Sequence, residues 1–475
     1  MRWSVAVILW FASLLAFAQE GKLQADFRRE SERMAEACKG TGVKGIPGCG
    51  IELFTDHPLH IAAGSMPPQN GFALGAAFVA GQNTKNWRMT WDVDAVGSFN
   101  GSFRAGGYMK MIHTPPENIK VLNPVPSGAG ATGSTSGTKA PLFIHPNTVL
   151  NLYAQTISLN KLFYFGLGNS STLAGQSVFG MTQTIVGVNA IKPVYEWKAI
   201  RPLNLALLGE MNGRFVSVRG NHGESYPSIE ALYTDATAPG LSSQPAMAQF
   251  GEGVRIKPTF GDRFQLNYLG NFQQFAASAD SHHSFLRWTV DLNHNFYLYG
   301  YTKSGAATNT DVHGPDECAQ LSDKCPPVSH SRNLNGSIGF RMLLSESFAS
   351  SVNTVPFYFQ PTLGGSDVNG AMALSSYQDY RFRAPNVLLM RESFEHSIWG
   401  PFGFSFLADQ AKVAVARSDI DFNQLKDSFA AGITLRAGGF PMVSLMFAWG
   451  GSEGHHNIFT MNSSLLGGSA RPSLF

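Results

Sequence analysis

The chain has 475 residues, of which 44% are hydrophobic, 12% aromatic and only 14% charged, with a formal net charge of +2. Soluble globular proteins carry about 25% charged residues, so this composition is unusual for a surface that faces only water. The near-neutral charge without basic blocks excludes an electrostatic nucleic-acid-binding protein, and the aromatic content excludes a disordered chain.

The first residues have the organisation of a secretory signal peptide. A basic start at Arg2 precedes an apolar stretch from Val5 to Phe17, and Ala16 and Ala18 supply the small residues that signal peptidase needs. The apolar stretch is too short to span a bilayer as a helix. We therefore predict that residues 1–18 are removed and that the mature chain begins with the next residue.

Residues 19–58 are predicted to form a short periplasmic segment ahead of the main domain. The four cysteines of the chain fall in two close pairs within loop-like segments, Cys38 with Cys49 and Cys318 with Cys325. In an exported chain such pairs predict two local disulfides. A zinc site would need further ligands, and only His313 lies near the second pair, so we predict no metal site.

The body of the chain alternates apolar and polar residues with a period of two. From Trp87 to Ala95 every odd residue is apolar and every even residue is polar or charged, and segments 263–268 and 287–293 repeat the pattern. Such a strand has one apolar face and one polar face. Because the apolar face carries Trp, Phe and Tyr while the polar face holds Arg with Asp, the pattern favours a transmembrane β-barrel with a polar lumen.

This alternation predicts an all-β protein in which residues 59–475 form a single antiparallel transmembrane barrel of about sixteen strands, an even number being usual for a bacterial barrel. The predicted strands are 59–66, 70–81, 86–97, 101–112, 146–159, 183–200, 203–217, 246–258, 263–277, 284–302, 333–346, 386–398, 402–413, 428–437, 441–450 and 455–463. Three longer segments between them, 114–141, 303–332 and 347–385, are predicted to be loops.

The polar face of the predicted strands supplies the candidate residues of the lumen. The alternation places five charged residues there, Arg88, Asp92, Asp94, Arg287 and Asp291. Two interpretations remain open. These charges either line a conducting channel or form neutralised pairs within a closed lumen.

The last long loop and the strands after it carry the residues of a family resemblance. The quoted segments are Val355–Tyr358, Leu363–Asp367, Tyr380–Arg383, Glu392 and Leu407–Val413. On these residues the chain resembles the BamA/TamA-type bacterial surface antigen family of outer-membrane β-barrels, most specifically over 355–413. The resemblance implies the outer membrane of a diderm bacterium, contact with its lipid and with other envelope proteins, and a role in outer-membrane protein assembly or translocation.

The departures from the family pattern concern the loop and the N-terminal domains. The family's lumen-inserted loop carries Arg-Gly near its tip, and here Asn369-Gly370 stands in that place. The family's Glu-x-Arg strand motif lacks its arginine, since Phe394 follows Glu392-Ser393. Residues 19–58 leave no room for the periplasmic POTRA repeats that receive clients in the assembly factors, so the chain is predicted to be a barrel without them.

Because the loop lacks the family's arginine, the charge partner of Asp409 must come from another residue. Alternation from Phe402 onward sends three phenylalanines outward and Asp409 into the lumen, where a carboxylate needs a compensating charge. The nearest cations in sequence are Arg381 and Arg383 on the returning limb of the loop. We predict that the loop enters the lumen and is held there through Asp409 and one of these arginines.

The sequence does not predict an enzymatic reaction. The sequence shows no H-E-x-x-H motif and no phosphate-binding glycine loop with its lysine, and the adjacent histidines 282–283 and 455–456 would point to opposite faces of a strand. We expect the protein to be a monomer without enzymatic activity, without a cofactor and without a nucleic-acid partner. The alternative function is a passive diffusion channel or porin for an unknown solute, while an outer-membrane hydrolase would need a Ser/His pair on the outer wall that the sequence does not identify.

Overall fold

The computed structural model describes residues 59–114, 147–197, 203–221, 223, 225–260, 263–306, 329–399, 402–437 and 440–461. The predicted signal peptide, the periplasmic segment and the four cysteines lie outside these residues. Among the described helices, none is long and apolar enough to cross a bilayer.

One antiparallel sheet of sixteen strands dominates the structure, and each strand pairs with its neighbours in chain order. The strands are β1 Leu59–Ser65, β2 Phe72–Asn83, β3 Trp87–Ser98, β4 Phe103–His113, β5 Val149–Tyr164, β6 Ser177–Trp197, β7 Leu203–Arg219, β8 Met247–Phe260, β9 Phe264–Ala277, β10 Phe285–Ala306, β11 Ser329–Phe348, β14 Asn386–Trp399, β15 Phe402–Ala414, β16 Lys426–Ala437, β17 Phe440–Trp449 and β18 His456–Met461. Every predicted strand overlaps one of these, so the prediction of an all-β antiparallel fold of about sixteen strands is confirmed.

Two predicted loops contain more regular structure than expected. The segment between β11 and β14 holds a small two-stranded sheet, β12 Thr362–Leu363 and β13 Phe382–Arg383, and a 3-10 helix over Phe357–Phe359. The ends of β10 and β11 extend into the segment predicted as a loop, with Lys303 opposite Arg332. A single α-helical turn, α1 Ile229–Leu232, lies between β7 and β8.

The two faces of the sheet differ as the alternation predicts. In β3, Val93 is 55% exposed, whereas its neighbours Asp92 and Asp94 are 6% and 2% exposed. The same contrast runs around the sheet, where exposed outward side chains include Phe72, Leu207, Met211, Phe250, Trp288, Ile338, Phe402, Ile433, Leu445 and Phe459. An apolar outer wall around a polar inner wall is the arrangement of a transmembrane barrel.

The sheet has two edges, β1 and β18, and the line between them is called the seam. These strands approach each other to within 8 Å between Cα atoms. Within the described residues, however, each of them pairs with only one neighbour, β1 with β2 and β18 with β17.

The end of the sheet at which β11 leads into β14 is called the capped end. The connections β1–β2, β5–β6, β7–β8, β15–β16 and β17–β18 lie at this same end, because consecutive antiparallel strands alternate in direction.

Candidate functional site

Residues 349–385, called the plug, fold onto the inner wall of the sheet. Phe357 and Phe359 are both fully buried. Their rings meet inward-facing rings of the wall, with Phe357 5.3 Å from Tyr164 and 5.2 Å from Phe179 between centroids, and Phe359 5.5 Å from Phe275. The two pairs of Phe357 are edge-on and the pair of Phe359 is tilted, and aromatic pairs at these distances add to the stabilisation from burial alone.

The second half of the plug packs against the opposite part of the wall. Leu374 and Phe382 are 0% and 1% exposed. They belong to one apolar cluster with four wall residues of β14 and β15, Val387, Leu389, Ala411 and Val413. The plug therefore contacts inner-wall residues on two sides and bridges them.

Two buried arginines hold the 3-10 helix of the plug by its carbonyl groups. Arg287 of β10 donates to the carbonyl oxygen of Phe359 at 2.6 Å and to Ser347 at 3.2 Å, and Arg383 donates to the carbonyl oxygen of Phe357 at 2.8 Å. Burial lowers the pKa of Arg383 to about 10, so it stays protonated at neutral pH. Hydrogen bonds from charged groups are among the stronger ones in proteins.

The Asp409 carboxylate faces the lumen, and its cationic partner is Arg391. Arg391 Nε lies 2.6 Å from Asp409 Oδ1 and its Nη2 lies 2.8 Å from Oδ2. The same pair binds the plug, since Asp409 accepts a bond from the Leu374 amide at 2.9 Å and Arg391 donates to the Met372 carbonyl at 2.5 Å. The plug thus does contact Asp409, but through its backbone.

The predicted pairing of Asp409 with Arg381 or Arg383 is therefore corrected. Both arginines are engaged elsewhere, Arg383 as described above and Arg381 with Glu453 at 2.6 Å. The physical reason is the strand register, which sets Arg391 directly opposite Asp409 on adjacent strands.

The residues of the plug tip and of β14 that were compared with the family motifs are exposed. Asn369 and Gly370 form an exposed turn, in which Gly370 has a φ of +82° that favours glycine. Glu392, matched to the family's strand glutamate, is exposed on the outer wall because its neighbour Arg391 faces inward.

Two of the five predicted charges of the lumen, Asp94 and Asp291, form ion pairs. Asp94 binds Arg104 at 2.8 Å, and Asp291 binds Arg341 through two contacts of 2.9 Å. Asp92 is buried, whereas Arg88 is exposed near the start of β3. These contacts favour neutralised pairs over a row of free charges along a channel.

Sequence reasoning did not identify a polar network on β5, β7 and β8. Glu210 accepts bonds from Tyr153 at 2.8 Å and Asn212 at 3.0 Å, and the fully buried Arg214 donates to Asn212 at 3.0 Å and to Gln249 at 2.6 Å. The signal was present in the sequence, because Glu210, Asn212 and Arg214 alternate along one strand.

The described residues do not show the geometry of a metal site or of a hydrolase nucleophile. No group of three His, Cys, Asp or Glu residues there could hold a metal ion. Gly450–Gly454 matches the G-x-S-x-G pattern, but it forms the connection between two antiparallel strands rather than the strand-to-helix turn that presents a hydrolase nucleophile.

The plug tip is expected to be pH-sensitive through Asp367. This half-buried carboxylate accepts bonds from the Asn369 amide at 2.9 Å and the Ala371 amide at 2.7 Å, yet burial raises its pKa from 3.8 to about 6. A raised carboxyl pKa stabilises the folded tip at low pH, and the contribution is lost as the pH rises through 6. We expect proteolysis at the tip to be faster at neutral pH than at about pH 5, a window that follows from this pKa shift.

Asp367→Asn is the matched variant, since it keeps an oxygen acceptor for both amides and removes the titration. Its proteolysis rate should be independent of pH over this range. A wild-type tip that is cleaved faster at the lower pH would contradict the prediction.

No family model and no curated protein matches the chain. Similar solved structures are CdiB from Acinetobacter baumannii (10% identity, TM-score 0.45, 85% of this chain and 59% of that chain) and CdiB from Escherichia coli (10% identity, TM-score 0.46, 86% and 60%). BamA from Haemophilus ducreyi lacking POTRA domains 1–3 is also similar (10% identity, TM-score 0.39, 85% and 69%). The chain spans about three fifths of the length of the two CdiB chains.

Proposed function

We propose that this chain is an integral outer-membrane β-barrel of the BamA/TamA surface antigen type in a diderm bacterium, non-catalytic, and that it assists the assembly or translocation of other envelope proteins. The observation that carries the proposal is the combination of a plug inside the sheet with two sheet edges that, among the described residues, are not paired to each other. A protein that passes solutes needs an open lumen, whereas a protein that handles other chains needs an accessible edge.

The plug supports this role over that of a passive channel. Its aromatic rings occupy the space between opposite parts of the wall, and the wall holds it through Arg287 and the Arg391–Asp409 pair. Asp94 and Asp291 are neutralised by Arg104 and Arg341 and are therefore less available to attract a permeating ion.

The two edges of the sheet support a role in handling other chains. A strand at a sheet edge presents backbone N–H and C=O groups that another extended chain can pair with. Strands β1 and β18 each have one side without a strand partner in the described residues. An unfolded outer-membrane protein, whose folded form is built of β-strands, offers the complementary backbone groups.

The organisation proposed for the whole chain is a signal peptide over 1–18, a short periplasmic segment over 19–58 and a barrel over 59–475. Disulfides Cys38–Cys49 and Cys318–Cys325 stay predictions. The mass of the mature protein, measured with and without reduction, tests both the cleavage site and the disulfides.

The function is tested by reconstituting the full chain into liposomes and adding an unfolded outer-membrane barrel. We expect the client to acquire heat-modifiable migration on an unboiled gel faster than in liposomes that contain an unrelated barrel of similar size. The same preparation should give no stable conductance in planar bilayers. No acceleration together with a steady conductance would contradict the proposal and favour the alternative of a diffusion channel.

A further inference from the structure

Residues 377–381 of the plug, called the clasp, lie at the capped end and contact the two hairpins on either side of the seam. One hairpin joins β1 to β2 and the other joins β17 to β18. The two hairpins are the first and the last of the described sheet. A single short segment therefore touches both ends of the strand order.

The contacts with the first hairpin are made by two adjacent residues of the clasp. Asp379 Oδ2 accepts a bond from the Gln69 side chain at 2.8 Å, and the Tyr380 hydroxyl donates to the carbonyl oxygen of Pro68 at 3.2 Å. The other oxygen of Asp379 accepts a bond from the Ser366 amide at 3.1 Å, which fixes the carboxylate to the body of the plug.

The contacts with the last hairpin are made by the residues at either end of the clasp. Arg381 Nε lies 2.6 Å from Glu453 Oε1, and the two side chains are only 4% and 7% exposed. Tyr377 packs so closely on Gly451 that a β-carbon there would lie 2.1 Å from the Tyr377 hydroxyl oxygen. A side chain at this position would have to displace the Tyr377 ring, and the φ of +70° at Gly451 also favours glycine.

The backbone is strained on both sides of the first contact. Tyr380, which is 1% exposed, has a φ of +60°, and Gln69 has a φ of +70°. Residues other than glycine seldom adopt this conformation, and such strain persists where surrounding contacts impose it. The Tyr380 amide is held by the carbonyl of Gly364 at 3.0 Å.

We propose that the clasp ties the first hairpin to the last one and thereby holds the seam closed at the capped end. Because the strand order contains no pairing between β1 and β18 in the described residues, contacts that bridge the two hairpins resist their separation. Release of residues 377–381 is then the step that lets the two edges move apart. The purpose of such an opening rests on the proposed function, but the clasp itself does not.

The experiment measures the distance across the seam. Genetically encoded spin-label amino acids replace Phe72 and His455, which are exposed and lie on the two hairpins outside the clasp. The full chain is placed in lipid nanodiscs, and distance distributions are recorded by pulsed electron resonance. We expect one narrow distribution for the otherwise unchanged protein and a broader distribution at longer distance for the Asp379→Ala/Arg381→Ala variant.

Two further variants keep the result interpretable. Asp421→Ala is the matched control, because Asp421 is a carboxylate of the β15–β16 connection at the same end and pairs with Lys412 of β15 at 2.6 Å rather than with the clasp or either seam hairpin. It should leave the distribution unchanged. If the double variant does not fold, Gln69→Ala/Glu453→Gln weakens the same contacts from the hairpin side.

The outcomes separate this inference from the proposed function. A folded double variant with the narrow distribution of the parent protein overturns the clasp, whatever the insertion assay gives. A broadened distribution in a protein that accelerates no client supports the clasp and counts against the assembly role.

Discussion

Arg391→Met is expected to detach the plug from β14 and β15 and to lower the free energy of opening this contact by about 3 kcal/mol, the lower part of the range for breaking a buried ion pair. The variant leaves Asp409, which is 2% exposed, without its cation. The lower part of the range applies because the Arg391 side chain is 15% exposed. Since about 1.4 kcal/mol changes an equilibrium tenfold, hydrogen exchange of the Leu374 amide should accelerate by roughly a hundredfold.

The Leu374 amide is the natural reporter because it donates directly to Asp409. Asp409→Ala should accelerate the same exchange and leave the sheet folded. Lys412→Met is the control, because it removes another cation of β15, one that pairs with Asp421 at 2.6 Å rather than with the plug, and it should leave the exchange of the Leu374 amide unchanged. Exchange that stays at the wild-type rate in Arg391→Met would show that the pair does not hold the plug.

Leu445→Arg is expected to cost about 2–4 kcal/mol of folding free energy in a bilayer, the range for a cation placed on the lipid face near mid-depth. Leu445 is 60% exposed on the outer wall and lies near the middle of the ten-residue strand β17. The measurement is the free energy of unfolding in lipid vesicles by urea titration.

Leu435→Arg is the matched control for this substitution. Leu435 is 40% exposed on the same wall and lies near the end of β16 away from the capped end. The cost of a charge falls toward zero near the membrane surface, so the control should be destabilised less. Equal effects at the two positions would contradict an outer wall embedded in lipid.

The sixteen strands could be predicted because the alternation of residues within a strand shows which of its two faces is apolar. Alternation of large apolar and polar residues, as from Trp87 to Ala95, reports which face meets which medium without reference to any partner. The extensions of β10 and β11 lack this alternation. Lys303 lies opposite Arg332 there, and this pairing follows from the register of the two strands rather than from a local sequence pattern.

The candidate site was predictable only in part, for a related reason. The inward direction of Asp409 follows from alternation within its own strand. Its partner does not, because Arg391 becomes its neighbour only when β14 and β15 pair in the observed register. Proximity in sequence favoured Arg381 instead, which lies beside Glu453. The bond between Gln69 and Asp379 joins residues 310 positions apart and leaves no local signal at all.

The position of the plug in the chain has a consequence for the order in which the molecule is built. The plug follows β11, yet its rings rest on Tyr164 and Phe179 of strands made much earlier, and its other side is covered by strands made later. The contacts of the plug with β14 and β15 can form only once those two strands are in place. The first eleven strands can therefore supply only part of the surface that buries the plug, and its burial is completed by strands that follow it in the chain.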